Sequence, residues 1–414
     1  MDSIRNRFRK SSALRVKNRD QTHLTITANI ADTVKSHGRV QRIRTNKKLK
    51  YPIKRGSSMK GIILHGGYGT KLRPLTHTGP KQLIPIANKP SSQYVLEDLK
   101  NSGVIDIAIT LGNIFPEKAI EHYGNGRRFG VRITYVQQKE PKGIADAVYL
   151  CKSFVKNEPF IVYLGDNLIK GGIKTFAQKF RKSDCDAMIL LSPVKNPERF
   201  GVAEMDGKNL LVRLTEKPKN PASNLALTGI YFFKPTIFKM IEKLKPSGRG
   251  ELEITEAIQL LLESKCKVDY QIVQGWWKDT GTPEDILEAN RLVLDELEPT
   301  VSGKTEDHAS IQGRVTIGKN STVKKDALVR GPTIIGENTT IETNVYIGPY
   351  TSIGNNCTIT QGEIENSIIM DNCTVSTKER ITDSIIASHS QITISRTTPH
   401  GRKFILGERT YIEL

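Results

Sequence analysis

From Ile317 an aliphatic residue recurs at every sixth position, through Val323, Val329, Ile335, Ile341, Ile347 and Ile353 to Ile359, with Gly318, Gly336, Gly348 and Gly354 directly behind four of them. A period of six is the pattern of a left-handed parallel β-helix of hexapeptide repeats, in which each aliphatic side chain stacks on its counterpart one turn earlier. No single repeat can bury its own apolar face, so the array must fold as a stack. After Ile359 the pattern blurs, with echoes at Ile368-Ile369, Val375 and Ile385-Ile386. Irregular or capping coils are expected there, and the stack is assigned to residues 311–414.

Upstream, between residues 59 and 296, short apolar runs alternate with amphipathic stretches. The runs 61–64, 105–109, 131–136, 160–164 and 187–191 read as strands, and 93–101, 144–153 and 251–262 read as helices. Strands alternating with helices of this length predict an α/β fold, a Rossmann-like mixed, mostly parallel sheet. Such sheets bind ligands beyond the carboxyl ends of their strands, which is where chemistry should be sought. Residues 297–310 read as a linker.

Charge separates a third region. The 414-residue chain carries a net charge of +19, but residues 1–58 hold 16 Lys/Arg against 3 Asp, which leaves the remainder at only +6. The body is thus mildly basic, nucleic acid is not an expected partner, and the pI reports mostly the first 58 residues. Those residues lack periodicity and an apolar signal core, and read as a disordered basic extension. The simplest account places them upstream of a true start at Met59; a transit peptide or a phosphate-binding arm are the alternatives. Five cysteines, Cys151, Cys185, Cys266, Cys357 and Cys373, are scattered and odd in number, which favours a reducing, cytoplasmic setting. No run of about 18 apolar residues suggests a membrane span.

The densest local signal follows the first predicted strand: Leu64-His65-Gly66-Gly67-Tyr68-Gly69-Thr70-Lys71-Leu72-Arg73-Pro74. Glycines let backbone N–H groups turn toward an anion, and Lys71 and Arg73 add charge, so this reads as a phosphate loop. It lacks the G-K-[ST] of a Walker A loop and the third glycine of a dinucleotide fingerprint. Farther along lie Pro80-Lys81-Gln82-Leu83, Leu164-Gly165-Asp166-Asn167, Thr215-Glu216-Lys217-Pro218, Arg249-Gly250-Glu251-Leu252-Glu253-Ile254-Thr255 and Trp277-Lys278-Asp279-Thr280-Gly281. Asp166 ends an apolar strand and Asp279 precedes a Gly turn. Two hard oxygen ligands suit Mg²⁺, which binds through one or two carboxylates plus substrate phosphates.

In this order the motifs resemble those of the sugar-1-phosphate nucleotidylyltransferases, most closely the long-form glucose-1-phosphate thymidylyltransferases, over residues 60–296 and again in the hexapeptide tail. The resemblance implies a GT-A-like domain that joins a nucleoside triphosphate, dTTP before UTP, to a sugar-1-phosphate, glucose-1-phosphate first, and releases pyrophosphate. It further implies that Lys71, Arg73, Lys81 and Lys217 act on the phosphates, and that Leu64, Gly66, Gly67, Gly69, Thr70, Gln82, Gln138, Gly143 and Asp166 surround the nucleotide. Asn167, Gly201, Glu216, Lys217, Thr228 and Arg249 would line the sugar phosphate, and Asp166 and Asp279 would hold Mg²⁺. A homo-oligomer assembled through the β-helix is expected, with no membrane partner.

Four positions depart from the resemblance: His65 stands where a small residue is usual, Lys71 where arginine is usual, and Ser91-Ser92 where apolar residues are usual. Accommodation of His65 within the loop is the expectation, and Lys71 keeps the charge while losing the bidentate fork. Two other functional classes remain open at this point. The β-helix could add acyl transfer, for which the tail offers His308, His389 and His400 as bases, or the whole chain could be a non-catalytic sugar-nucleotide-binding regulator.

Overall fold

The run Lys60–His65 is a strand buried along its whole length, because it lies inside a sheet with parallel neighbours on both edges. In the computed structural model, which describes residues 59–394 and 402–413, Asp106–Leu111 pairs with it on one side and Phe160–Leu164 on the other, while Arg132–Gln137 extends the parallel block. The expectations for residues 1–58 and for His400 lie outside the described residues.

Strands covered on both faces need continuous apolar residues, which is why these runs do not alternate. Ile62 belongs to a core that holds Val148, Phe238 and Ile258 from the helices Ile144–Leu150, Thr236–Ile241 and Ile254–Glu263. Its neighbour Ile63 points to the opposite core, with Leu96, Tyr123 and Phe180 from Ser91–Asn101, Pro116–Tyr123 and Lys174–Lys182. Each such fully buried side chain stabilises the fold by about 1.5–3 kcal/mol relative to exposure. Beyond Phe160–Leu164 the sheet becomes antiparallel through Leu225–Phe233, which also pairs with Ala187–Pro193 and Gly201–Met205; Leu211–Glu216 closes the edge. The domain is therefore a Rossmann-like α/β unit, whose antiparallel extension carries further motif residues to the same end of the sheet.

In the C-terminal part the aliphatic residues of the six-residue pattern form one buried core, together with Val315, Val345, Ile364, Ile369 and Val375. Parallel strands stack coil on coil: Val315–Ile317 on Thr333–Ile335, and that on Thr351–Ile353. Two of the glycines are required by this stacking. A Cβ on Gly318 would lie 2.5 Å from the carbonyl of Gly336, and one on Gly336 would lie 2.6 Å from that of Gly354. The corners turn on Asn320, Asn338, Asn344, Asn356 and Asn372, all at positive φ. Asparagine tolerates this left-handed geometry better than most residues.

After Ile359 the coils become irregular, with register shifts between Ile359 and Gln361 and between Gln361 and Glu363, yet parallel pairing continues through Ile368–Ile369 on Ile385–Ile386 and Thr374–Thr382 on Gln391–Ile392. The pairing offsets there are shorter than the 18 residues that separate Val315 from Thr333, as in Ser352 with Ile368, so the six-residue phase is lost while the stack persists. Stacking also begins inside the expected linker, where Lys304–Thr305 pairs with Thr322–Val323 and Val301 bridges to Ile317. Among the described residues no helix is long and apolar enough to cross a membrane.

Candidate functional site

The strand Phe160–Leu164 delivers Gly165 and Asp166 to the rim of the sheet, and Asp166 is buried there. The 3-10 turn Lys81–Leu83 brings Lys81 into an ion pair with its carboxylate. Asp279 arrives from the strand Trp277–Asp279, which pairs antiparallel with Asn167–Ile169 so that Asp279 sits opposite Asn167. Thr280 ties the two strands, donating its N–H and hydroxyl to the Asp166 carbonyl at 3.0 and 2.9 Å. The Asn167 amide donates to Asp166 Oδ1 at 3.1 Å and accepts from Trp277 Nε1 at 2.8 Å.

The charges of this pair are unequal. Burial raises the Asp166 pKa, but Lys81 more than offsets it and holds the carboxyl below its ordinary value. Burial and the nearby Asp166 push Asp279 up to about 6. Among the described residues no hydrogen bond or ion pair reaches the Asp279 carboxylate, and no group of three His, Cys, Asp or Glu is arranged to hold a metal ion alone. Two adjacent carboxylates facing one lysine thus form a site that a divalent cation shared with an anionic ligand would balance.

A second cluster lies around Glu216, at the end of Leu211–Glu216. Glu216 Oε2 accepts from Thr255 Oγ1 at 2.6 Å, and Arg249 Nη2 stands 3.2 Å from Oε1 and 2.8 Å from the buried Glu253. Lys217 follows in left-handed backbone (φ 42), its ammonium 3.9 Å from Glu216 and still partly exposed. Gly201 backs onto this group: a Cβ there would lie 2.8 Å from Thr255 Oγ1 and 3.1 Å from Glu216 Oε2. Phe200 links the clusters, accepting from Lys217 N at 2.9 Å and packing edge-on against Trp277 with centroids 5.3 Å apart.

The glycine loop leaves Lys60–His65 with Gly67 and Gly69 at positive φ, and Thr70–Leu72 forms a 3-10 turn. Lys71 is exposed and Arg73 half-buried, and neither makes an ion pair among the described residues. Gln138 lies beside the loop; its Nε2 donates to Gly143 O at 3.1 Å and Asp146 Oδ2 at 2.8 Å, while its Oε1 faces Gly66. A cleft runs between Gly67, Tyr68, Gly112, Asn113, Gln138 and Pro141. Gly143, at φ 100, is irreplaceable here, since a Cβ would come within 2.5 Å of the Leu252 carbonyl. Gly143→Ala is expected to cost about 2–3 kcal/mol, read as a lower denaturation midpoint.

Not every expected residue reaches the cleft. Thr228 is fully buried and spends its hydroxyl on the Leu190 carbonyl at 3.1 Å, so its side chain faces the interior. The buried Gln82 donates to the Gly66 carbonyl at 2.9 Å, which makes it a tie for the loop, and Leu64 is a core residue of the strand. His65 also turns inward, edge-on to Tyr123 with centroids 5.9 Å apart, and burial lowers its pKa to about 3, so it is neutral. Its space adjoins Ser91 and Ser92: Ser92 Oγ lies 2.6 Å from Tyr123 Oη, and Ser91 Oγ donates to Gly165 O at 3.2 Å. The three departures at 65, 91 and 92 therefore adjoin one another around Tyr123 and Gly165. His308 and His389 occupy exposed left-handed turns of the stack. Glu253, Thr255 and Trp277 stood in the sequence motifs without an assigned role, and Asn113 stood outside them; Gly112-Asn113 follows the strand Asp106–Leu111, a position that could have marked the cleft.

Comparison with known proteins bears on this arrangement. A family model described as Nucleotidyl transferase matches residues 60–296, and one described as GMPPB C-terminal domain matches 329–413. The low-salt glycan biosynthesis nucleotidyltransferase Agl11 of Haloferax volcanii is 44% identical over 357 residues, covering 86% of this chain and 100% of that protein. A glucose-1-phosphate thymidylyltransferase of Streptomyces antibioticus is 42% identical over 86% of this chain and 99% of its own length. The crystal structure of a Bacillus anthracis protein assigned as a glucose-1-phosphate thymidylyltransferase, solved with sucrose, superposes with a TM-score of 0.54 at 39% identity, covering 57% of this chain and 95% of that one.

Proposed function

This chain belongs to the nucleotidyl transferase family, and from that premise we propose that it condenses dTTP with glucose-1-phosphate to give a nucleotide sugar and pyrophosphate. Sugar-1-phosphate nucleotidyl transfer is the activity of the chain; the base and the sugar are our assignment. The observation that carries it is the buried Lys81–Asp166 pair with Asp279 on the adjoining strand.

The chemistry follows from charge. The attacking oxygen of a sugar-1-phosphate is already anionic, so no general base is needed and none is assigned. That oxygen bonds to the α-phosphorus, the bond from α-phosphorus to the bridging oxygen breaks, and pyrophosphate departs in line. Repulsion between two anions is the barrier to be lowered, which is a matter of positioning and electrostatic stabilisation. Lys81 faces the α-phosphate, Lys71 and Arg73 take the β- and γ-phosphates above the glycine loop, and Lys217 holds the sugar's phosphate. Glu216, oriented by Thr255 and Arg249, accepts sugar hydroxyls. Asp166 and Asp279 would hold Mg²⁺, which when bound supplies the charge neutralisation that two carboxylates and one lysine leave incomplete.

For the base, both Gln138 Nε2 hydrogens are engaged within the protein, which leaves Oε1 as an acceptor toward the cleft. An acceptor there suits the ring N–H of thymine or uracil, whereas the ring N3 of cytosine carries no hydrogen and that base could offer only its 4-amino group. The thymidylyltransferase names of the relatives favour dTTP. The test is to supply dTTP, UTP and CTP with glucose-1-phosphate and weigh the product; nucleotide sugar from dTTP first and UTP second is expected, and CTP in front would overturn the assignment. Lys217→Ala should raise KM for glucose-1-phosphate about 10–100-fold with little change in that for dTTP, consistent with loss of about 1.5–3 kcal/mol of charged hydrogen bonding.

We also read the C-terminal stack as the left-handed hexapeptide form and as the base of a homo-oligomer. Phe404, Ile405, Leu406 and Tyr411 are exposed, an apolar stretch that a second copy would cover. Light scattering at micromolar protein should return a multiple of 46.2 kDa. The five free cysteines fit the cytoplasm.

A further inference from the structure

Asn290 is wholly buried midway along the helix Pro283–Asp295, and its amide is spent on other parts of the chain. Its Oδ1 accepts from the backbone N–H of Ala87 at 2.8 Å and from Ser352 Oγ at 2.7 Å, and its Nδ2 donates to the Tyr350 carbonyl at 3.0 Å. These partners come from two separate places. Ala87 lies in the tight turn between the short strands Pro85–Ile86 and Lys89–Pro90, whereas Tyr350 and Ser352 belong to one coil of the C-terminal stack. A further bond runs directly between the same two places, from Asn88 Nδ2 to the Ile353 carbonyl at 2.6 Å.

The turn needs that support. Ala87 and Asn88 both sit at positive φ, 46 and 63, a conformation disfavoured for alanine that persists only where the surroundings impose it. What the turn terminates is the segment that bears Lys81 and Gln82. Ser91, just beyond it, sends its N–H back to Ile84 O at 3.2 Å and its hydroxyl to Gln82 O at 3.0 Å, and Ser92 Oγ donates to Gln82 O at 2.9 Å. Underneath, Ile84 and Ile86 share one apolar cluster with Leu72 of the phosphate turn, Ile286 and Ala289 of the Asn290 helix, and Ile368 of the stack. The lysine segment is therefore seated on the helix and on the β-helix coil, with Asn290 joining the three.

We propose that Asn290 is a positioning residue for Lys81, and that the coil at 350–353 is part of the catalytic scaffold: the coil fixes Asn290, Asn290 fixes the 87–88 turn, and the turn fixes Lys81 against Asp166. This rests on the nucleotidyl-transfer reading above. It makes the C-terminal stack a working component of the transfer reaction, beyond any role in assembly.

The experiment measures initial rates of pyrophosphate release per folded molecule for the wild type, Asn290→Ala, Asn290→Asp, Ser352→Ala, Lys81→Ala and the Lys81→Ala/Asn290→Ala double variant, with melting curves to establish the folded fraction. Misplacing a phosphate-binding lysine by about an ångström should lower kcat for Asn290→Ala on the order of 10- to 100-fold, with both KM values within about threefold. Asn290→Asp keeps the acceptor for Ala87 and Ser352 and should recover part of that loss. In the Lys81→Ala background the Asn290→Ala change should cost less than about threefold, because the residue it positions is gone. A purely structural Asn290 would lower the melting temperature and leave kcat per folded molecule unchanged, or would multiply fully with Lys81→Ala; either result overturns the proposal. If Asn290→Ala does not fold, Ser352→Ala, which removes one bond of the hub, is compared with Lys81→Ala in the same way. A wild-type chain without sugar-dependent release overturns the nucleotidyl-transfer reading and this proposal together, whereas an active wild type with unaltered hub variants overturns this proposal alone.

Discussion

Asp166→Asn is expected to reduce sugar-dependent pyrophosphate release on the order of 10³-fold or more, an effect carried by kcat. The carboxylate serves two purposes at once: it pairs with Lys81 in a buried setting, and it stands beside Asp279 on the adjoining strand. A neutral amide keeps the shape and removes the charge that both purposes need; single electrostatic groups in such sites are worth about 10²–10³ in rate, and loss of a metal ligand adds to that. Stability should fall as well, by about 1–3 kcal/mol, because Lys81 is left charged and largely buried without its partner. Steady-state kinetics beside a denaturant titration checks both halves.

Asp279→Asn should be equally damaging to activity yet opposite in its effect on the metal-free fold. Burial and Asp166 raise the Asp279 pKa from 3.8 to about 6, so the native protein binds that proton more tightly than the unfolded chain does. Between those values stability falls as pH rises, and above about 6 the full penalty applies. The neutral variant escapes it. Without Mg²⁺ the variant should melt higher than wild type at pH 7–8 by about 1–2 kcal/mol, and the two should converge near pH 4. Added Mg²⁺ should stabilise wild type and leave the variant unmoved, reversing their order. Differential scanning fluorimetry with and without Mg²⁺ across pH 4–8 reads all of this, and a wild type that melts higher without metal at pH 8 would contradict it.

Much of this was legible in the residues because the governing rules are local. Five apolar runs became the strands that carry Gly66, Asp166 and their neighbours, and the six-residue aliphatic period became the core of the stack. Side-chain direction was less accessible. Thr228 and Gln82 lie in the right segments, but a bulge after Leu227 turns Thr228 into the core, and the Gly66 carbonyl captures Gln82. The late coils showed in the sequence only as echoes for a related reason: offsets other than 18 shift the aliphatic phase, while main-chain pairing, which does not depend on phase, continues. His65 and Ser91-Ser92 are separate departures in the sequence and adjoin one another in the structure. Asn290 gave no signal at all, because a buried polar hub between distant segments is defined only by what the fold brings to it.

We propose that the Lys81–Asp166–Asp279 arrangement performs nucleotidyl transfer to a sugar-1-phosphate. The most direct test is pyrophosphate release by the purified chain with Mg²⁺, glucose-1-phosphate and either dTTP or UTP, beside Asp166→Asn under the same conditions. Release that requires the sugar phosphate, is faster with dTTP and collapses in the variant is the predicted result. No release from any pairing of nucleoside triphosphate and sugar-1-phosphate, or release that survives Asp166→Asn, would contradict it.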